Sequence, residues 1–275
     1  EPDVTYSSLR SGYPGQTRTL HVDVTGGGLV TLTQPLPDGL EAAAIDATVT
    51  PPHSVERSLT FAERGIYRLT APTVRQQDPL GLVGRRVGVD VDLEIVVYPS
   101  VADADRVRLS QLVTDELAAE RQEFDRLREY VSGDPLKNVH WKSSAKHDDF
   151  LVMEFAPAQR TESIHIVANG TAGNADEMAS AAATLALGAL DAGLGVELTV
   201  PDEHVSSGTG TAHKESLLRI LAGVRSGTVP STVHDEADIS IHADGGSPRV
   251  RFSDHAERFD DLLGTTSQPA GEVSV

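Results

Sequence analysis

The sequence predicts an α+β protein of two domains, a β-sandwich followed by an α/β domain with a mostly parallel sheet. Residues 1–100 contain short alternating segments separated by Gly- and Pro-rich turns, a pattern typical of a β-sandwich. From Val101 onward, buried strand patterns alternate with helical patterns, which favours right-handed crossovers between parallel strands. We therefore assign residues 1–100 to an immunoglobulin-like sandwich, 101–265 to the α/β domain and 266–275 to a flexible tail.

The strands of the first domain are recognised by apolar residues at every second position. Residues 17–24 read Thr-Arg-Thr-Leu-His-Val-Asp-Val, the alternation of a strand that is buried on one face only. A triple-glycine turn then leads into a second strand at residues 29–33. Further strands are predicted at residues 55–61, 65–72 and 87–98.

The second domain begins with a predicted helix at residues 110–128, rich in helix formers and acidic residues. An Ala/Leu-rich stretch at 175–190 predicts a long buried helix, preceded by a buried strand at 163–167. The remaining elements are predicted as strands at 196–200, 237–242 and 250–253, a loop at 204–213, and helices at 215–224 and 256–263.

The most distinctive segment is residues 124–155, which holds the only tryptophan and three of the lysines of an acidic chain. Asp134 is suited to cap a helix and Pro135 to occupy its first position, so a helix is predicted at 135–147. Lys142 and Lys146 lie one turn apart near its end, where cations suit the helix dipole. A near-continuous apolar run at 150–155 predicts a buried strand.

Two interpretations of this segment stay open. The basic helix is either an ordinary solvated face or an interaction surface, and Trp141 is either packing or a ligand platform. The interaction reading depends on charge contrast, because the chain has a net charge of −18 while its lysines gather here. The candidate interaction residues are Arg126, Arg128, Tyr130, Gly133, Asp134, Lys137, His140, Trp141, Lys142 and Lys146.

Composition excludes several classes of function. The chain has no cysteine, so disulfides, cysteine catalysis and thiolate metal sites are excluded. A net charge of −18 argues against general binding to nucleic acid, which needs a basic field. No stretch is apolar enough for a membrane span, and a start at Glu1 without methionine suggests a piece of a longer protein.

Catalytic and metal-binding patterns are weak. Two serines, Ser143 and Ser144, lie close in sequence to His140 and Asp148, but triad members normally converge from different elements, and no nucleophile-elbow motif is present. In open α/β sheets, ligands bind beyond the carboxyl ends of the strands. The loops at those ends supply one improvised set of metal ligands, namely Asn169, Thr171 and Asp244.

The same distinctive segment resembles the signature of the domain-of-unknown-function 58 family. The resemblance is carried by Arg128-Glu129-Tyr130, Gly133-Asp134, Val139-His140-Trp141-Lys142, Ser144-Ala145-Lys146 and Val152-Met153-Glu154-Phe155. Upstream anchors are Arg64-Gly65-Ile66-Tyr67, Asp78-Pro79-Leu80-Gly81-Leu82 and Val97-Tyr98-Pro99.

This resemblance implies a von Willebrand factor A-like α/β domain, with two membrane helices ahead of the soluble part. It also implies that the gene lies beside a gene for a MoxR-type AAA+ ATPase. The soluble domains would then lie on the cytoplasmic face of the cell membrane. A von Willebrand A metal site has Asp-x-Ser-x-Ser, whereas the matching positions here are Asn169, Thr171 and Gly173. Without the Asp, no cofactor is expected and a divalent metal would be poorly held.

Three functions follow from these observations. The favoured one is a non-catalytic protein-interaction module, the soluble part of a membrane-tethered adaptor for a MoxR-type AAA+ ATPase. The alternatives are a metal-dependent adhesion module with a degenerate site, and an enzyme with an unrecognised site near Arg128, Asp134 and His140.

Overall fold

The computed structural model describes residues 1–78, 83–102, 163–252 and 255–263 in full, together with the backbone of residues 127–129 and 151–153. Within this part the protein is mostly β-sheet. The predicted helix at 135–147 and the tail at 266–275 lie outside the described residues. So do most of the predicted helix at 110–128 and the ends of the predicted strand at 150–155.

Residues 1–78 and 83–102, as the structure describes them, contain ten strands. They are β1 (Asp3–Tyr6), β2 (Thr17–Thr25), β3 (Leu29–Gln34), β4 (Leu40–Glu41), β5 (Ile45–Val49), β6 (His53–Phe61), β7 (Gly65–Arg68), β8 (Thr73–Gln77), β9 (Gly84–Val87) and β10 (Glu94–Val97). They form two four-stranded sheets, of order β1-β2-β6-β4 and β5-β3-β8-β9, and a β7–β10 pair.

The alternation of apolar residues explains how these sheets share one core. Leu20, Val22 and Val24 of β2 are fully or almost fully buried, while their neighbours in the strand are more exposed. Val30 and Leu32 of β3 meet them from the second sheet in the same hydrophobic cluster. This arrangement is consistent with a β-sandwich.

Two short strands lie between the two main parts. They are β11 (Leu127–Glu129) and β12 (Leu151–Met153), which pair antiparallel with Arg128 opposite Val152. The predicted helix at 110–128 is therefore wrong at its C-terminal end, because residues 127 and 128 have strand backbone.

The second part of the chain is built around one six-stranded sheet. Its elements are β13 (Ser163–Gly170), α1 (Ala175–Asp191), β14 (Gly195–Val200), β15 (Glu203–Gly208), α2 (Gly210–Gly223), α3 (Ser231–Asp235), β16 (Ile239–Ala243), β17 (Arg249–Arg251), β18 (Ala256–Arg258) and α4 (Phe259–Leu262). The strand order is β15-β14-β13-β16-β17-β18. Apolar residues of α1 and α2 pack in one cluster with those of β13, β14, β16 and β17.

This sheet contradicts the predicted fold class. We expected an α/β von Willebrand factor A-like domain with a mostly parallel sheet, but the sheet is mixed. β13 is parallel to β14 and to β16, whereas the β14–β15, β16–β17 and β17–β18 pairs are antiparallel. The parallel pairs are those whose connections contain helices, since a parallel crossover needs a dozen or more residues.

Short connections account for the antiparallel pairs. Pro201 and Asp202 alone join β14 to β15, and Asp202 has a left-handed φ of 65°. Gly245 and Gly246, with φ of 114° and 75°, shape the turn from β16 to β17. A two-residue turn can reverse a strand but cannot return it in the same direction.

Two further predictions fail in this part. Residues 204–213 were expected to be a loop, but they hold most of β15 and the first turn of α2. Residues 256–263 were expected to be a helix, but 256–258 form β18 and only the four residues of α4 are helical.

Candidate functional site

The predicted signature residues fall almost entirely outside the part of the chain that the structure describes. These are Arg126, Tyr130, Gly133, Asp134, Lys137, His140, Trp141, Lys142 and Lys146. For Arg128 only the backbone is described, in β11. Their role in binding therefore stays a prediction.

The three candidate metal ligands lie at neighbouring strand ends, as their sequence positions predict. Asn169 and Asp244 are found at or just beyond the ends of β13 and β16, which are adjacent in the sheet. The backbone N–H of Thr171 donates to the carbonyl oxygen of Ala243 at 2.9 Å, so the two loops are joined next to Asp244. The strand order thus brings all three residues to one edge of the sheet.

Hydrogen bonds within the protein already use two of these side chains. The amide of Asn169 is buried, with 7% exposure, and its Oδ1 accepts from the N–H of Val229 at 2.7 Å. The hydroxyl of Thr171 is bonded to the carbonyl oxygen of Ala243 and to Nδ2 of Asn174. Across the described ranges, no group of three or more His, Asp or Glu side chains is placed to hold a metal ion.

His234 completes a hydrogen-bond network around Asn169 that the sequence did not indicate. Nε2 of His234 contacts Nδ2 of Asn169, and Nδ1 lies 3.2 Å from the hydroxyl of Ser240. Because Nδ2 of Asn169 can only donate, Nε2 of His234 accepts and the imidazole is neutral. Arg251 donates from Nη2 to the carbonyl oxygen of His234 at 3.1 Å. Burial, followed by the charge of Arg251, holds the pKa of His234 below its usual value of 6.5.

A second arrangement lies where the two parts of the molecule meet. Arg64, in the turn between β6 and β7, has a side chain that is only 10% exposed. Its Nη1 lies 3.0, 3.1 and 3.0 Å from the carbonyl oxygens of Leu221, Ala222 and Val224, at the C-terminal end of α2. Its Nε donates to Oδ1 of Asp176 at 2.6 Å, in the first turn of α1.

Elementary helix chemistry explains why one arginine suits this place. The last carbonyl groups of a helix have no partner inside it and carry partial negative charge. α2 has no basic residue in its last turn, so Arg64 supplies the missing cation from the other part of the chain. Asp176 lies in the first turn of α1, where the partial positive charge of the helix end stabilises a carboxylate. Arg64 therefore joins the ends of both helices to the sandwich.

Further contacts strengthen the same junction. Glu94 of β10 pairs with Arg219 of α2 at 2.6 Å and with its cross-strand neighbour Arg68 at 3.5 Å. The hydrogen bond from Arg219 holds the pKa of the Glu94 carboxyl below its usual value of 4.5. Ser180 of α1 donates to the carbonyl oxygen of Ser100 at 2.7 Å.

An open groove follows this junction. It consists of two adjoining cavities of about 340 and 320 Å³ that share Pro14 and Ser100. We call this the junction groove; the larger cavity is lined by Pro14, Ala62, Glu63, Arg64, Ser100, Asp176, Glu177 and Ser180, and the smaller by Tyr13, Pro14, Gln16, Ser100, Val101, Ala102 and Leu187.

The two ends of the junction groove differ in character. Glu63 and Glu177 are exposed, and neither makes an ion pair with another residue that the structure describes. Asp176 is neutralised by Arg64, so the larger cavity keeps an excess of negative charge. The smaller cavity is lined in part by the apolar side chains of Val101 and Leu187.

The sequence indicates Arg64 only as part of one anchor of the family resemblance. Its partners are 112 to 160 residues away along the chain, so no local pattern indicates them.

Among the described residues, no helix is long and apolar enough to cross a membrane.

Comparison with known proteins adds little. No protein-family model matches the chain, and no curated protein matches it. Among solved structures, it is similar to a mutant of the SrpA adhesin from Streptococcus sanguinis, with 15% identity over 48% of this chain and 86% of that chain. The TM-score is 0.21, so this likeness carries no argument about fold or function.

Proposed function

We propose that the chain is a non-catalytic protein-interaction module and that it uses the junction groove to bind a partner protein. The groove is the observation that carries the proposal. It is a concave surface whose two walls are held together by Arg64 and by the Glu94–Arg219 pair, so it is preorganised. Its acidic end favours Lys or Arg of a partner, and Val101 and Leu187 add a small apolar contact at the other end, whose lining is otherwise mostly polar.

The whole-molecule charge supports the same kind of partner. With a net charge of −18, the chain attracts basic surfaces from a distance and speeds their encounter. In this proposal the partner is a MoxR-type AAA+ ATPase, as the sequence resemblance implies. The chain is then the soluble part of a membrane-tethered adaptor on the cytoplasmic face, with its tether outside this chain.

The test is binding of the complete chain to the cognate MoxR-type ATPase, without nucleotide, with ADP and with a non-hydrolysable ATP analogue. We expect micromolar or tighter binding that depends on the nucleotide. Glu63→Lys with Glu177→Lys should weaken it at least tenfold. The matched control is Asp23→Lys with Asp46→Lys, which makes the same change in net charge on exposed sandwich residues.

The segment that carries the family resemblance, residues 124–155, is tested in parallel with Lys142→Glu and Lys146→Glu. Lys214→Glu with Arg225→Glu, on or next to α2, changes the net charge equally and serves as control. Binding that survives the groove variants but not the lysine variants would keep the function and move its surface to the predicted helix at 135–147. No binding in any nucleotide state would overturn the proposed partner.

The metal-dependent alternative has its own test. Because Asn169 and Thr171 already bond within the protein, we expect no shift in melting temperature with millimolar Mg²⁺, Mn²⁺ or Ca²⁺. A shift that disappears in Asp244→Asn would support a metal-dependent adhesion role instead.

A further inference from the structure

Three arginines share one face at the β18 edge of the six-stranded sheet. Register places Arg249 directly between His242 and Arg258, and Arg251 directly opposite Ser240. Side chains opposite each other across an antiparallel pair point to the same face. Val250, between the two arginines of β17, is fully buried in the core with residues of α1 and α2, so the arginines point away from those helices.

The central pair on this face is unfavourable for folding. Arg249 and Arg258 are both exposed and lie opposite each other, and like charges in that position destabilise a sheet. Within the described ranges neither of them makes an ion pair. The neighbouring Glu257 lies on the opposite face of the sheet, because side chains alternate along a strand. Its carboxylate is 4.0 Å from Nε2 of His255. Asp238, which immediately precedes β16, accepts a hydrogen bond from the N–H of His165.

Arg251 is held in place, unlike its two neighbours. Its Nη2 bonds to the carbonyl oxygen of His234 at 3.1 Å and approaches the hydroxyl of Ser240 at 3.4 Å. One guanidinium is therefore fixed while two others beside it are free to turn toward a ligand. His242, opposite Arg249, is exposed and adds a ring N–H donor to the same row.

We propose that this surface, which we call the arginine face (His242, Arg249, Arg251 and Arg258), binds an acidic segment of a partner protein. Charge complementarity carries the proposal: guanidinium groups bind carboxylates in paired hydrogen bonds, and a carboxylate between Arg249 and Arg258 removes their repulsion. The surface lies on β-strands and is open, so it suits an extended segment carrying several carboxylates.

A long polyanion such as nucleic acid fits this chain less well. Its phosphates would extend past the arginine face into the field of a molecule with a net charge of −18. A short acidic segment meets the arginines alone. The proposal goes beyond the interaction module above, because this face has the opposite charge and lies on the sheet rather than in the junction groove.

The experiment uses the complete chain and a short fluorescent peptide of alternating glutamate and serine. We expect binding that rises at low ionic strength, with NMR shifts confined to the amides of β16, β17 and β18. Arg249→Glu with Arg258→Glu should weaken binding at least tenfold. Arg10→Glu with Arg86→Glu, on exposed sites of the sandwich, makes the same charge change and should have a much smaller effect.

Four outcomes would overturn the proposal: no binding of the peptide, equal loss from both variant pairs, binding of inorganic phosphate without binding of the peptide, or self-association of the chain through the same amides.

A second readout is the free energy of unfolding. Arg249→Thr should leave the free energy of unfolding unchanged or raise it, because repulsion is relieved; a clear decrease would mean that Arg249 has a structural role. Binding to the ATPase should survive the arginine variants, so failure here and failure of the junction groove are distinguishable.

Discussion

Replacing Arg64 with methionine tests whether this side chain joins the two parts of the molecule. Methionine keeps most of the aliphatic stem but removes every hydrogen bond to α1 and α2. The side chain is 10% exposed, so water cannot easily replace those bonds. We expect Arg64→Met to be among the most destabilising replacements of a polar side chain in the described part of the chain.

The magnitude follows from the contacts. Nη1 has two N–H groups, so two of its three carbonyl contacts can be full hydrogen bonds at once. Each bond to a charged donor is worth about 1.5–3 kcal/mol when a buried acceptor is left without a partner. The ion pair with Asp176, whose carboxylate is 77% exposed, adds at most about 0.5 kcal/mol. The expected loss is about 3–6 kcal/mol, with Arg64→Lys near half of that because an ammonium cannot reach both helices.

The assay is urea unfolding followed by circular dichroism, with hydrogen exchange of the α2 amides as a local readout. Arg10→Met, at an exposed arginine, is the control and should cost little. Faster exchange at the C-terminal end of α2 should accompany the global loss. A decrease below about 1 kcal/mol, or unchanged exchange in α2, would refute the view that Arg64 caps this helix.

The other predictions concern groups whose environment is as well defined. Because Arg219 lowers the pKa of Glu94, the stability that Glu94→Gln removes should be fully present above pH 4.5 and lost as the pH falls through the folded pKa, as measured by unfolding at several pH values. His234 has a folded pKa below 6.5, so the unfolded state binds more protons and stability should fall as the pH drops from 6.5 toward the folded pKa; His234→Gln should abolish that part of the pH profile. Gln34 is fully buried and bonds to the hydroxyl of Tyr6, which burial holds at a pKa of about 12. Gln34→Leu should cost about 2 kcal/mol or more, and adding Tyr6→Phe should recover part of it by removing the orphaned hydroxyl.

Elements with a strong local pattern could be predicted closely. The helix expected at 175–190 is observed as Ala175–Asp191, and the strand expected at 17–24 as Thr17–Thr25. β2 buries every second residue, and α1 is an Ala/Leu-rich stretch that is buried almost all round, so both signals are visible without knowing any partner. β15 was missed because most of its residues are polar and exposed, so its strand conformation depends on pairing with β14.

The candidate site could be predicted only in part. Adjacency of the strand ends brought Asn169, Thr171 and Asp244 to one edge, as expected from their sequence positions. Their chemistry could not be foreseen, because the partners of Asn169 are Val229 and His234, 60 and 65 residues away.

The sequence by itself determined the acidic charge, the absence of cysteine chemistry and the positions of the strongest helix and strands, since these depend on composition and local periodicity. Only the tertiary structure decided which strands pair, in which direction, and which side chains meet. The direction of pairing depends on the connections: two residues between β14 and β15 can only reverse the chain, whereas α1 carries it back in parallel. The position of Arg64 under the end of α2 depends on how two separate cores pack, which no local pattern encodes.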